Sequence, residues 1–67
     1  MRRVNDGEIF AIAAAIAGVP IKSGFRIDRE PGHLVVIHPQ TMLWSSEVQQ
    51  AIQDAIAKRT GLKTMVA

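Results

Sequence analysis

The sequence predicts one small α+β domain in the order α-β-β-α, with two helices packed on one face of an antiparallel hairpin or small sheet. Three observations carry this prediction. Ile9 through Ala17 is almost wholly alanine and isoleucine, Pro31-Gly32 separates two runs of strand-forming residues, and Val48 to Ile56 repeats apolar residues at helical spacing. At 67 residues there is room for one domain, 1–67, and for a core that is marginal without reinforcement. No disulfide can supply that reinforcement, because cysteine is absent.

The first helix is expected at about 6–17. Asn5, followed three places later by Glu8, forms a capping box, and Asp6 and Glu8 place carboxylates where the helix dipole favours them. Gly18 ends the helix and Pro20 prevents its continuation. Ile9, Ile12, Ala13 and Ile16 form one stripe, flanked by Phe10, Ala14 and Ala17, with Ala11 and Ala15 closing part of the remaining arc. A helix sided mostly by methyl groups is either centrally buried or shared between two molecules.

The hairpin is expected at about 24–38. Phe25 and Ile27 alternate with Arg26 and Asp28, and Leu34-Val35-Val36-Ile37 is a continuous branched run ended by Pro39. Proline presets φ and glycine supplies φ > 0, so Pro31-Gly32 reads as a type II turn. Type II twists poorly into a two-residue hairpin, so a bulge is expected nearby. A turn centred there sets Phe25 against His38, Ile27 against Val36 and Arg29 against Leu34 on the natural core face. On the other face Arg26 meets Ile37, Asp28 meets Val35 and Glu30 meets His33.

Two strands make a marginal sheet, and Val35 and Ile37 need cover. The tail Lys63-Thr64-Met65-Val66 or the segment Arg2-Arg3-Val4 supplies it as a third strand, or a second molecule pairs on the exposed edge. The sequence leaves these open, since a one-residue bulge would exchange the two faces.

The second helix is expected at about 46–60, capped by Ser45 or Ser46, the latter with Gln49 in a capping box. Val48, Ala51, Ile52, Ala55 and Ile56 form its apolar stripe; Glu47, Gln49, Gln50, Gln53, Asp54 and Lys58 lie away from it. Lys58 and Arg59 stand at the negative helix end, Gly61 stops the helix, and Leu62 folds back on its last turn.

Little in the chain points to catalysis, and the expectation is a non-enzymatic protein with no cofactor and no metal. His33 and His38 lie five apart in an extended stretch, so they point to opposite faces and cannot clasp one ion. Ser45 or Ser46, His38 and Asp28 contain the residue types of a triad, but neither serine has the context of a strained nucleophile elbow. Asp28 and Glu30 flank a hairpin tip, where solvent keeps carboxylates ionised. No glycine-rich phosphate loop occurs.

The apolar run is far shorter than the ~20 residues a membrane span needs. Asp6 and Glu8 interrupt what would otherwise resemble a signal peptide. The expected location is the cytoplasm, without membrane partners.

Binding is the expected role. Arg26, Asp28, Val35 and Ile37 on the outer hairpin face form a surface for a protein partner or a second copy. Trp44, after Met42 and Leu43, either anchors that partner or plugs the junction between hairpin and second helix. The alternative is a small nucleic-acid-binding protein. It would use a basic ribbon of Lys22, Arg26 and Arg29, with Arg2 and Arg3, and a cationic helix end at Lys58, Arg59 and Lys63. The formal charge of +2 is too small and dispersed to decide between them.

The order helix, hairpin, helix in so short a chain resembles the small phage head–tail joining proteins in layout. The apolar Leu34–Ile37 run departs from the more polar hairpin of that family, and no residue role carries over. The layout implies a small phage or mobile-element protein that works by binding, such as an accessory or an inhibitor of a larger assembly.

Overall fold

In the computed structural model, which describes residues 4–67, the chain forms helix α1 (Asp6–Ala17), strands β1 (Arg26–Glu30) and β2 (His33–Ile37), and a 3₁₀ turn at Thr41–Leu43. Helix α2 (Ser46–Thr60) and strand β3 (Lys63–Val66) complete it. The sheet order is β1-β2-β3, with β1 antiparallel and β3 parallel to β2. The tail is therefore the third strand. It converts the expected antiparallel hairpin into a mixed sheet with the branched Leu34–Ile37 run at its centre. A parallel return needs a crossover, and α2 is that crossover. The segment Arg2-Arg3-Val4, the other candidate for the strand, falls mostly outside the described residues, and Val4 itself lies in no strand.

Local chemistry sets the ends of each element. Asn5 accepts the Glu8 backbone N–H through its side chain, and Gly18 closes α1 at φ 70° with its N–H on the Ala14 carbonyl. Ser45, not Ser46, caps α2, its hydroxyl accepting from the Val48 N–H at 3.2 Å; Gly61 closes that helix at φ 73°. The hairpin register runs without interruption from Arg26↔Ile37 to Glu30↔His33, so the expected bulge is absent from the ladder. Gly32 at φ 81° after Pro31 retains the type II signature. His33 Nε2 lies 2.6 Å from Glu30 Oε2 across the two-residue loop.

The core lies between the two helices and one face of the sheet. Ile9, Ala13 and Ala14 of α1, Ile52 and Ile56 of α2, and Leu34 and Val36 of β2 are buried together with Phe25. Arg59 Nη2 reaches Glu8 at 2.9 Å, which sets the end of α2 beside the start of α1. Arg29 reaches from the sheet to Asp6 at 2.6 Å and ties β1 to the start of α1.

The inward face of α2 is rotated from the expected stripe. Ala51 is exposed, whereas Gln49 and Gln53 are half-buried. Gln49 donates to the Thr41 and Trp44 carbonyls, and Gln53 accepts the Val66 N–H. These amides satisfy backbone groups that only tertiary packing brings beneath the helix.

Candidate functional site

Because the register alternates faces, residues 26, 28 and 30 of β1, 33, 35 and 37 of β2, and 63 and 65 of β3 share the side of the sheet away from both helices. Val35 sits between Asp28 and Met65, and His33 between Glu30 and Lys63. The face is therefore graded. Its hairpin-tip end is charged, and its other end carries Val35, Ile37 and Met65, the last 51% exposed. Val35 and Ile37 are half-buried by their in-plane neighbours alone, for neither packs against the core. The third strand thus widens this face without covering it. The structure brings together Arg26, Asp28, Val35 and Ile37 of the sequence-nominated surface, and adds Met65.

Trp44 does not join them. It is half-buried against the core, its ring stacked on His38 at a centroid distance of 4.8 Å and 6.3 Å from Phe25. The tryptophan is the plug between hairpin and α2, so its reading as an exposed anchor is corrected. Its neighbours are the exposed ones: Met42 is 95% and Leu43 81% accessible. The 3₁₀ turn explains the reversal, since the Trp44 N–H bonds back to the Thr41 carbonyl and commits one side of the turn to the core. Thr41 itself is buried, its hydroxyl within hydrogen-bond distance of both the His38 and Ala67 carbonyls and sharing its one proton between them.

The cations of the nucleic-acid reading do not form one surface. Arg26 and Lys63 stand on the open face, whereas Arg29 projects to the opposite face and pairs with Asp6. Arg59 pairs with Glu8, while Lys58 at the end of α2 and Lys22 in the turn after α1 are exposed. Arg2 and Arg3 lie outside the described residues.

One nucleophile–base pair arises that the sequence did not suggest: Ser23 Oγ lies 2.7 Å from His38 Nε2. His38 Nδ1 accepts the Gln40 backbone N–H at 3.0 Å, and a backbone amide can only donate. The neutral ring therefore carries its proton on Nε2 and donates it to Ser23, the reverse of what a general base requires. The ring is also buried, stacked on Trp44 and tilted against Phe25. This pair locks the turn before β1 to the end of β2. Ser45 is a helix cap, and Asp28 stands on the open face, away from buried His38.

Among the described residues no helix is long and apolar enough to cross a membrane, and no group of three or more acidic, histidine or cysteine side chains is placed to hold a metal ion. Compared with protein-family models, curated proteins and solved structures, the chain finds no match in any of the three, so the reading of its function rests on this geometry.

Proposed function

We propose that this chain is a non-enzymatic protein-binding module that docks its partner on the open face of the sheet. The observation that carries the reading is the apolar row of Val35, Ile37 and Met65, which the fold's own third strand leaves uncovered. A partner desolvates this row, while Arg26 and Asp28 at its side select among partners by charge. The role is that of an accessory or inhibitor acting on a larger assembly, in the cytoplasm, as in small phage or mobile-element proteins. Full burial of an exposed apolar side chain contributes about 1.5–3 kcal/mol, and Val35 and Ile37, already half-buried, and the half-exposed Met65 each contribute a part of this to the centre of the interface.

The test is affinity capture with the wild-type chain and with the V35D/I37K double variant, each verified as folded by circular dichroism. Capture that the double variant loses, and that persists in high salt, supports the reading. Capture that the double variant retains in full refutes it. Binding to nucleic acid that falls steeply with salt and with R26A would favour the second reading, in which Arg26 and Lys63 of the open face contact phosphates.

A further inference from the structure

The two edges of the sheet differ. The His38 N–H donates to the Ala67 carbonyl and the Ala67 N–H to the Val36 carbonyl, so residues 36 and 38 turn their backbone groups towards β3. Strand backbones alternate, so Val35 and Ile37 turn theirs towards β1 and pair with Asp28 and Arg26. The N–H and C=O groups of Ile27 and Arg29 consequently point out of the sheet. Among the described residues nothing bonds to them. The β3 edge is guarded: the outward Val66 N–H is taken by Gln53 of α2. On the β1 edge no side chain of the described residues takes the outward backbone groups; its charges, Arg26, Asp28, Arg29 and Glu30, are of both signs.

We infer that β1 pairs antiparallel with β1 of a second copy of this chain, about a two-fold axis at Ile27. In that register the two Ile27 residues exchange their outward N–H and C=O groups. On the open face Arg26 stands opposite Asp28 of the second copy, and the pair repeats by symmetry. Neighbouring registers are charge-mismatched. An axis at Asp28 sets Asp28 against itself, between two Arg26–Glu30 pairs. One at Arg29 sets Asp28 against Glu30 and Arg29 against itself, and one at Arg26 sets Arg26 against itself. The sequence Arg-Ile-Asp-Arg-Glu is thus self-complementary, with no like-charge pair, in one alignment.

Pairing there builds a six-stranded sheet, β3-β2-β1-β1-β2-β3, and aligns the half-buried Ile27 with its counterpart above the core layer. It also reinforces a short core that has no disulfide. This inference goes beyond the docking role of the open face; it shares Arg26 and Asp28 with that reading but needs the β1 edge and not the Val35/Ile37 row.

The experiment is sedimentation velocity on the intact chain up to about 1 mM, where even a millimolar dissociation constant registers. The expected result is a dimer. R26E and D28R, at exposed positions, each create two like-charge pairs and should weaken it tenfold or more. An equimolar mixture of the two variants should recover it, because the introduced glutamate faces the introduced arginine while Asp28 faces Arg26. Recovery in the mixture cannot come from misfolded variants, and an axis at Asp28 would leave D28R as dimeric as the wild type, since it only exchanges one like-charge pair for another. V35D/I37K should remain dimeric, so failure of the open-face reading leaves this result unaffected. A wild-type monomer throughout, single variants that associate as the wild type does, or a mixture that stays monomeric would overturn the inference. So would a dimer that V35D/I37K abolishes while R26E leaves it intact.

Discussion

Which face of β2 is buried decides what the surface can do, and adjacent residues test it. Leu34 is fully buried while Val35 stands on the open face. Leu34→Ala removes three carbons from a site enclosed by both helices, and such truncations cost about 2–5 kcal/mol. A domain of 67 residues has a total stability of roughly 3–10 kcal/mol at 0.05–0.15 kcal/mol per residue. The variant should therefore lose about a fifth of its stability or more. At about 4–8 °C per kcal/mol, a 3 kcal/mol loss lowers the melting temperature by roughly 12–24 °C.

Val35→Ala removes two carbons that reach no core residue, and should cost about 1 kcal/mol or less, mostly through strand preference. Urea unfolding followed by circular dichroism, with unchanged m-values, measures both. The refuting result is V35A costing as much as L34A. That outcome would mean the strand is shifted by one residue, with Val35 and Ile37 inside and the open face polar.

Three further perturbations probe what holds the fold around this face. S45A should cost about 0.5–2 kcal/mol, whereas S46A should stay within a few tenths, because only the Ser45 hydroxyl caps α2. G24A should destabilise by more than about 1 kcal/mol in a thermal melt, since Gly24 sits at φ 114° and an added Cβ would lie 3.2 Å from the Pro39 ring. Q53A should remove the partner of the Val66 N–H at a cost of about 1 kcal/mol. Hydrogen exchange should show faster loss at Val66 while the Leu34–Val36 amides stay protected.

The elements were legible because their signals are local. Asn5, Gly18, Gly61 and the Pro31-Gly32 turn act within a few residues of themselves, and both helices and the hairpin fall where these residues predict. The cross-strand pairs followed from centring the turn, so the grouping of Arg26, Asp28, Val35 and Ile37 on one face was legible as well. The bulge did not appear, because the type II preference against two-residue hairpins is a weak local term and the packing of Leu34 and Val36 outweighs it. Trp44 was legible only as a choice between two roles. A three-residue apolar connector carries no period that says which member turns inward, and the Thr41–Trp44 hydrogen bond made that choice.

By itself the sequence determined where helices and strands begin and end, and that one hairpin face would alternate apolar with charged residues. Capping, turn chemistry and period-two alternation are properties of neighbours along the chain. Only the tertiary structure decided that the tail returns parallel to β2, that Gln49 and Gln53 face inward, and that the Val35 row stays open while the Val66 N–H on the β3 edge is taken by Gln53. Each of these depends on which distant groups α2 brings together as it crosses the sheet. A backbone N–H such as that of Val66, and the glutamine that satisfies it, carry no mark in the sequence of belonging to each other.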